Sequence, residues 1–249
     1  MPALAQEVRT KTVRYALDGT TFESTIVYHD HQEAVVPGVL MVPNWMGPTE
    51  ASLEKAMSIA EDGYVVMMVD MYGVDVRPTN GTEAGEAAGV VRADRSLMRA
   101  RAGKALEVFR SEADSVQLDS DRIAAIGFCF GGGTVLELGR GGAEVDALVS
   151  FHGDLLSPTL ETDAGATRAK VLVLHGADDP FVPQDDVQQW ISAMQGTSVD
   201  WQLVQFSGTV HSFTDPSAKM EGQAEYNAVS SARAFEMMEE LFEEIWEDD

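Results

Sequence analysis

The 249-residue sequence holds a single cysteine, Cys129, few basic residues and no long apolar run. A lone thiol cannot close an intramolecular disulfide, so nothing in the chain asks for an oxidising compartment. With 17 Lys and Arg against 41 Asp and Glu, the formal charge is -24. Such a balance repels nucleic-acid phosphates and anionic membrane surfaces alike, and neither is an expected partner. No apolar stretch approaches the roughly 18 residues of a membrane span. The opening MPALAQEVRTK lacks the charged start and apolar core of a secretory signal. A cytoplasmic protein is therefore expected. Lysine is scarcer than arginine, a composition that suits salt-rich surroundings, although a merely acidic surface accounts for it equally well.

What is present points to an α/β protein. At 249 residues and 45% hydrophobic, the chain can bury one large core, and residues 1–249 are expected to form a single domain. Residues 11–17 and 21–28 alternate in polarity around Asp18-Gly19-Thr20, which predicts a β-hairpin. Residues 36–42, 65–69, 123–126, 147–151 and 171–174 are short apolar runs, and they read as buried parallel strands. Thr49 can cap a helix that Gly63 stops. Helical spacing also marks residues 90–111, 184–195 and 225–247, the last with Phe235, Met238, Leu241, Phe242, Ile245 and Trp246 on one face. Alternating strands and helices imply a mostly parallel sheet covered on both faces. The Gly-, Ala- and Glu-rich segment 77–89 reads as a loop or lid.

The cysteine lies at the junction of a strand and a helix. The run Ile123-Ala124-Ala125-Ile126 ends at Gly127, and a helix is expected from about Gly131 through Leu138. Between them the spacing G-x-C-x-G-G fits a nucleophile elbow, a sharp turn that lifts its central side chain above the sheet. Gly127 and Gly131 let the backbone fold tightly, while Gly132 and Gly133 let helix and strand approach. The helix N-terminus favours a thiolate. Alternatives are a cysteine that only fills the core, or a phosphate cradle; the glycine cluster lacks the Gly-Lys-Ser/Thr ending of a P-loop and is not the dinucleotide fingerprint.

An elbow nucleophile needs an acid and then a histidine further along the chain. Asp178 and Asp179 follow the run 171–174, and His211 follows the predicted strand 201–206. An acid can orient His211, whose other nitrogen takes the thiol proton or sits as imidazolium beside a thiolate. His29 and His31 lie in the N-terminal hairpin region and are expected to be exposed. His152 and His175 end strands and are each followed by glycine; His152 is also a candidate for the floor of a pocket.

Taken together, these motifs resemble those of the dienelactone hydrolase family, of the α/β-hydrolase fold. The resemblance runs from about Val36 to the C-terminal helix. It rests on Gly127-Phe128-Cys129-Phe130-Gly131-Gly132, on Phe181-Val182-Pro183 and on His211-Ser212-Phe213. Cysteine in place of serine is its specific part, since the chain has no Gly-x-Ser-x-Gly. The resemblance implies Asp179 rather than Asp178 as the acid, and an oxyanion hole from the backbone N–H groups of Phe130 and Trp45. Met46, Tyr72 and His152 fall at strand ends that should face a pocket, core packing being the other reading, and Asn44 and Phe213 are the remaining expected pocket residues; no cofactor and no metal are expected. Two positions depart from the family. Asn44 stands where many members have a glutamate that helps generate thiolate, which leaves His211, or an acid such as Glu50, to activate Cys129. Asp215 stands where well-known members place a carboxylate-binding arginine, so a neutral ester or lactone is expected unless Arg77, Arg92 or Arg95 supplies the charge. The expected reaction is hydrolysis through a thioester. The other readings are acyl transfer to another acceptor and a non-catalytic ligand-binding protein of the same fold.

Overall fold

Asp18 and Gly19 both adopt positive φ, 48° and 78°, as the tight turn of a two-residue hairpin requires. They join β1 (Val8–Leu17) to β2 (Thr20–His29), paired antiparallel from Val8 opposite His29 to Leu17 opposite Thr20. Residues 8–30 and 34–246 are described in this computed structural model. After the hairpin come β3 (Val36–Val42), α1 (Glu50–Glu61), β4 (Val65–Met68), α2 (Gly81–Ala93), α3 (Arg95–Ser111), α4 (Ala113–Val116) and β5 (Leu118–Phe128). Then follow α5 (Phe130–Arg140), β6 (Ala147–Phe151), α6 (Leu160–Asp163), a short 3-10 turn (Ala164–Ala166), β7 (Lys170–Gly176), α7 (Gln184–Gln195), β8 (Trp201–Phe206), β9 (Lys219–Met220), β10 (Ala224–Glu225) and α8 (Ala228–Trp246).

Eight strands form one sheet in the order β1-β2-β4-β3-β5-β6-β7-β8, a mostly parallel α/β arrangement with an antiparallel N-terminal edge. Its inner strands are apolar for the reason the sequence suggested: every residue of β4 and of β6 is buried, as strands covered on both faces must be. The chain divides into two compact units, Met1–Ala124 and Ala125–Asp249, with the division inside β5.

In the first unit, segment 77–89 is not a loop. It carries α2, and the single helix expected over residues 90–111 is two helices, because Asp94 ends α2 and caps α3 by accepting from the Leu97 N–H at 3.0 Å. Asn80 starts α2 by accepting from the N–H groups of Thr82 and Glu83, while Glu83 reaches back to the Thr79 N–H at 2.8 Å. This reciprocal cap and four alanines outweigh the helix cost of Gly81, Gly85 and Gly89. The Trp45 ring lies over the first two of those glycines, where an added Cβ would meet it at 3.5 and 3.6 Å. His29, expected to be exposed, is half-buried with Nε2 2.8 Å from the Ala60 carbonyl; His31 lies outside the described residues.

In the second unit, α8 buries Ala234, Met238, Phe242 and Trp246, one residue every four, with Phe235, Leu241 and Ile245 half-buried beside them. Asn80→Ala should cost about 1 kcal/mol, the usual penalty for losing a side-chain N-cap. Urea denaturation would read this as a lowered midpoint with unchanged slope.

Candidate active site

β5 ends at Phe128 and α5 begins at Phe130, which leaves Cys129 alone to reverse the chain, at φ 54° and ψ −114°. For a residue with a β-carbon such a conformation costs about 1–3 kcal/mol and persists only where surrounding contacts enforce it. Those contacts are present. The Cys129 N–H is shared between the Phe151 carbonyl at 3.0 Å and His152 Nδ1 at 3.1 Å, and the Cys129 carbonyl accepts from Gly133 N–H at 3.2 Å. A β-carbon on Gly127 would fall 2.1 Å from the Gly131 carbonyl oxygen, and one on Gly132 2.8 Å from the Gly153 Cα. Only glycine allows the turn to close and α5 to meet the end of β6. Cys129 remains half-buried.

Of the five non-glycine residues with positive φ among those described, three are Cys129, His152 and Ser212. Backbone strain thus gathers at one place, the usual mark of a functional site.

The loop after β7 supplies the acid. Asp179 is 4% exposed, and its Oδ1 accepts from the N–H groups of Phe181 at 2.8 Å and Val182 at 3.2 Å. Its Oδ2 lies 2.7 Å from His211 Nδ1. Asp178, its neighbour, is exposed and meets the following loop only through its backbone, donating to Thr209 at 3.0 Å. His211 is held by backbone bonds to the β9–β10 hairpin, donating to Gln223 at 3.1 Å and accepting from Glu225 at 3.0 Å. Cys129 also acts on its protonation, after Asp179. Burial by itself would lower the His211 pKa, but the hydrogen bond to Asp179, the influence of Cys129 and the negative charge on both raise it to about 10.

Two further imidazoles lie near this chain of groups. The His152 ring centroid is 5.2 Å from that of His211, and His152 Nε2 is 2.9 Å from Thr214 Oγ1. Phe213, fully buried, meets His152 edge-on at 5.1 Å, so its ring backs the histidines from inside the core. His175 is 1% exposed, and neither ring nitrogen has hydrogen-bond geometry to any described residue. Burial lowers its pKa; Asp179 opposes that shift and His211 reinforces it. Neither the bond from the Cys129 amide to His152 nor the contact of His152 with Thr214 is visible in residue order. Phe130 is the first residue of α5, where a backbone N–H has no carbonyl four residues back in the helix.

The remaining sequence candidates lie in the first unit. Asn44 Oδ1 accepts from the Met46 N–H at 3.0 Å, and the Tyr72 hydroxyl donates to the Trp45 carbonyl at 2.7 Å. Trp45 is 39% exposed and Tyr72 4%. Fully buried Asp70 accepts from the N–H groups of Tyr72 and Gly73 and pairs with Arg77 at 2.8 Å, so Arg77 is committed to holding this loop. Glu50 is exposed at the start of α1. Among the described residues no group of three or more His, Cys, Asp or Glu is placed to hold a metal ion, and no helix is long and apolar enough to cross a membrane.

The dienelactone hydrolase family model matches residues 24–246. The chain belongs to the dienelactone hydrolase family. Its fold is that of the family's solved members. A dienelactone hydrolase-like promiscuous phosphotriesterase from metagenomic libraries is 34% identical, with 96% of this chain and 98% of that one covered and a TM-score of 0.88. A dienelactone hydrolase from Anabaena variabilis shares the fold at 17% identity, with 96% and 98% covered and a TM-score of 0.69. A Bradyrhizobium protein described as a probable 2-oxo-3-(5-oxofuran-2-ylidene)propanoate lactonase is 23% identical over 206 residues, 78% of this chain and 81% of that one. As a dienelactone hydrolase family member, the protein is an ester hydrolase, with a small-molecule substrate.

The raised His211 pKa has a testable sign. Folding adds affinity for a proton at His211, so its contribution to stability is complete below the unfolded pKa of about 6.5. It is lost as pH rises through about 10. Nitrogen-resolved NMR should find His211 doubly protonated at neutral pH, with a midpoint far above 6.5 that falls in Asp179→Asn; a wild-type midpoint near 6.5 would contradict this account.

Proposed function

We propose that the protein hydrolyses small neutral esters or lactones through a Cys129-His211-Asp179 triad. The supporting observation is that buried His211 bonds Asp179 at 2.7 Å and has its pKa raised by both Asp179 and the cysteine at the elbow. In the first half-reaction the Cys129 thiolate attacks the carbonyl carbon, and the oxygen takes up negative charge at the N-terminus of α5, where the Phe130 N–H is the first donor. The tetrahedral intermediate collapses, the C–O bond to the alcohol breaks, and imidazolium His211 gives its proton to the departing alkoxide. In the second, neutral His211 takes a proton from water, hydroxide adds to the thioester, and the C–S bond breaks to return thiolate and imidazolium. Asp179 fixes the ring and balances its charge. The second oxyanion donor that the family resemblance implies is the Trp45 amide.

Charge favours a neutral substrate. Asp215, four residues past His211, accepts from Ser217 N–H at 2.9 Å and hydroxyl at 2.7 Å and stays half-buried. Asp154 lies against the first turn of α5, where a β-carbon on Gly133 would meet its own at 3.1 Å. Burial, then Asp154 and Asp185, raise the pKa of Asp186, which places three acids in one neighbourhood. A substrate carboxylate there would be repelled. A cytoplasmic location agrees with a thiol that must stay reduced to react.

A second substrate class follows from the 34% identical phosphotriesterase. A neutral phosphate triester also offers an electrophilic centre whose oxygen gains charge on attack, and the same thiolate and imidazolium can serve it.

On p-nitrophenyl acetate, Cys129→Ala should lose activity by about 1,000-fold or more, since triad members act as a unit. Undiminished turnover in that variant would remove the thiol as nucleophile. No turnover by wild type on a panel of neutral and anionic esters, lactones and an aryl phosphate triester, together with Cys129 alkylation no faster than that of free cysteine, would favour the ligand-binding alternative. Product analysis with an added alcohol separates hydrolysis from acyl transfer.

A further inference from the structure

His152 is 2% exposed, takes φ 42°, and uses both ring nitrogens. Nδ1 accepts from the amide of Cys129, so in the neutral ring the proton sits on Nε2, which donates to Thr214 Oγ1 at 2.9 Å. Thr214 lies three residues past His211. The ring therefore spans from the nucleophile's own peptide to the loop that carries the base. It is fixed in turn by its backbone, which donates to the Leu174 carbonyl at 2.8 Å and so extends the β6–β7 ladder. Aromatic rings close round it, Phe213 edge-on at 5.1 Å and Phe128 at 6.3 Å. With water excluded, neither bond can be exchanged for a solvent contact without leaving a buried polar group unsatisfied.

We propose that His152 is a positioning residue for the reaction: a neutral imidazole strut, bonded to the Cys129 amide at one nitrogen and to the His211 loop at the other, that sets the separation of thiol and base. The inference rests on the reading of Cys129 as nucleophile. A displacement of about 1 Å between reacting groups can cost about 100-fold in rate, so a strut between these two segments acts on turnover before it acts on binding.

The test compares three variants of the full chain on p-nitrophenyl acetate, with the rate of Cys129 alkylation by iodoacetamide as a measure that needs no turnover. His152→Asn keeps an acceptor for the Cys129 amide and tolerates the positive φ, whereas His152→Leu keeps bulk and removes both bonds. Thr214→Val removes only the far anchor. Expected are a kcat within about fivefold of wild type for His152→Asn, and a loss of 10- to 100-fold for His152→Leu, with KM within about twofold and alkylation slowed in parallel. Thr214→Val should fall between them. Rescue by asparagine and the split between kcat and KM are readouts that mere support of the fold would not give. The proposal is overturned if His152→Leu matches wild type in both rates, or if asparagine restores nothing relative to leucine. Should the leucine variant fail to fold, a Thr214→Val kcat equal to wild type overturns it alone. If Cys129→Ala keeps its turnover, it is the nucleophile reading that fails, while alkylation in the His152 variants still reports on the strut.

Discussion

Holding Cys129 in a conformation that side-chain-bearing residues disfavour is the constraint on which the site depends. The strain is local, but the restraint is distributed through backbone hydrogen bonds that continue the sheet past its strand ends. Cys129 N–H reaches the Phe151 carbonyl, His152 N–H the Leu174 carbonyl, Ala177 N–H the Phe206 carbonyl and Asp178 N–H the Thr209 carbonyl. The elbow, the acid loop and the histidine loop thus leave the carboxyl ends of β5, β7 and β8 as extensions of a rigid ladder, where open α/β sheets place their ligands. The glycines do the complementary work of removing β-carbons where two backbones must nearly touch, at Gly127 against Gly131 and at Gly132 against Gly153.

Electrostatics then assigns the proton. Two buried imidazoles, His175 and His211, share the neighbourhood of one carboxylate, and their pKa values move in opposite directions. For His175 burial is the largest cause, and it lowers the pKa. For His211, the bond to Asp179 and the influence of Cys129 overcome the same burial penalty. Groups pushed apart in this way take different chemical roles. The carboxylate is itself fully engaged, with two backbone amides on one oxygen and His211 on the other, so it has no freedom to rotate toward His175.

Much of this was legible in the residues. The hairpin turn, the buried strands and the glycine roles follow from local sterics and apolar continuity, which a sequence displays directly. Residues 77–89 read as a loop because their glycine content masks the Asn80 cap and the Glu83 return bond, and because the Trp45 ring over Gly81 and Gly85 is a contact between segments far apart in sequence. Asp94 was lost inside a helical periodicity, since one acid serving as stop for one helix and start for the next looks like an ordinary surface residue. Asp178 and Asp179 stand side by side, and only the fold of the loop separates an exposed acid from one bonded to His211. His152 resembled a turn histidine because its partners, an amide 23 positions earlier and a hydroxyl 62 positions later, leave no mark in local sequence.

The proposed chemistry also explains why one histidine can serve as acid and then as base. In the proposed resting state, Cys129 and its negative charge are among the causes that raise the His211 pKa, so the ring would begin as a proton donor. Once sulfur has bonded to the acyl carbon, that charge is gone. What remains is burial, which favours the neutral ring, against Asp179, which favours the charged one. The pKa therefore falls as the proton leaves with the alcohol, and the imidazole left behind is suited to accept one from water. When the thioester breaks, the thiolate returns and the affinity of His211 for its proton rises with it.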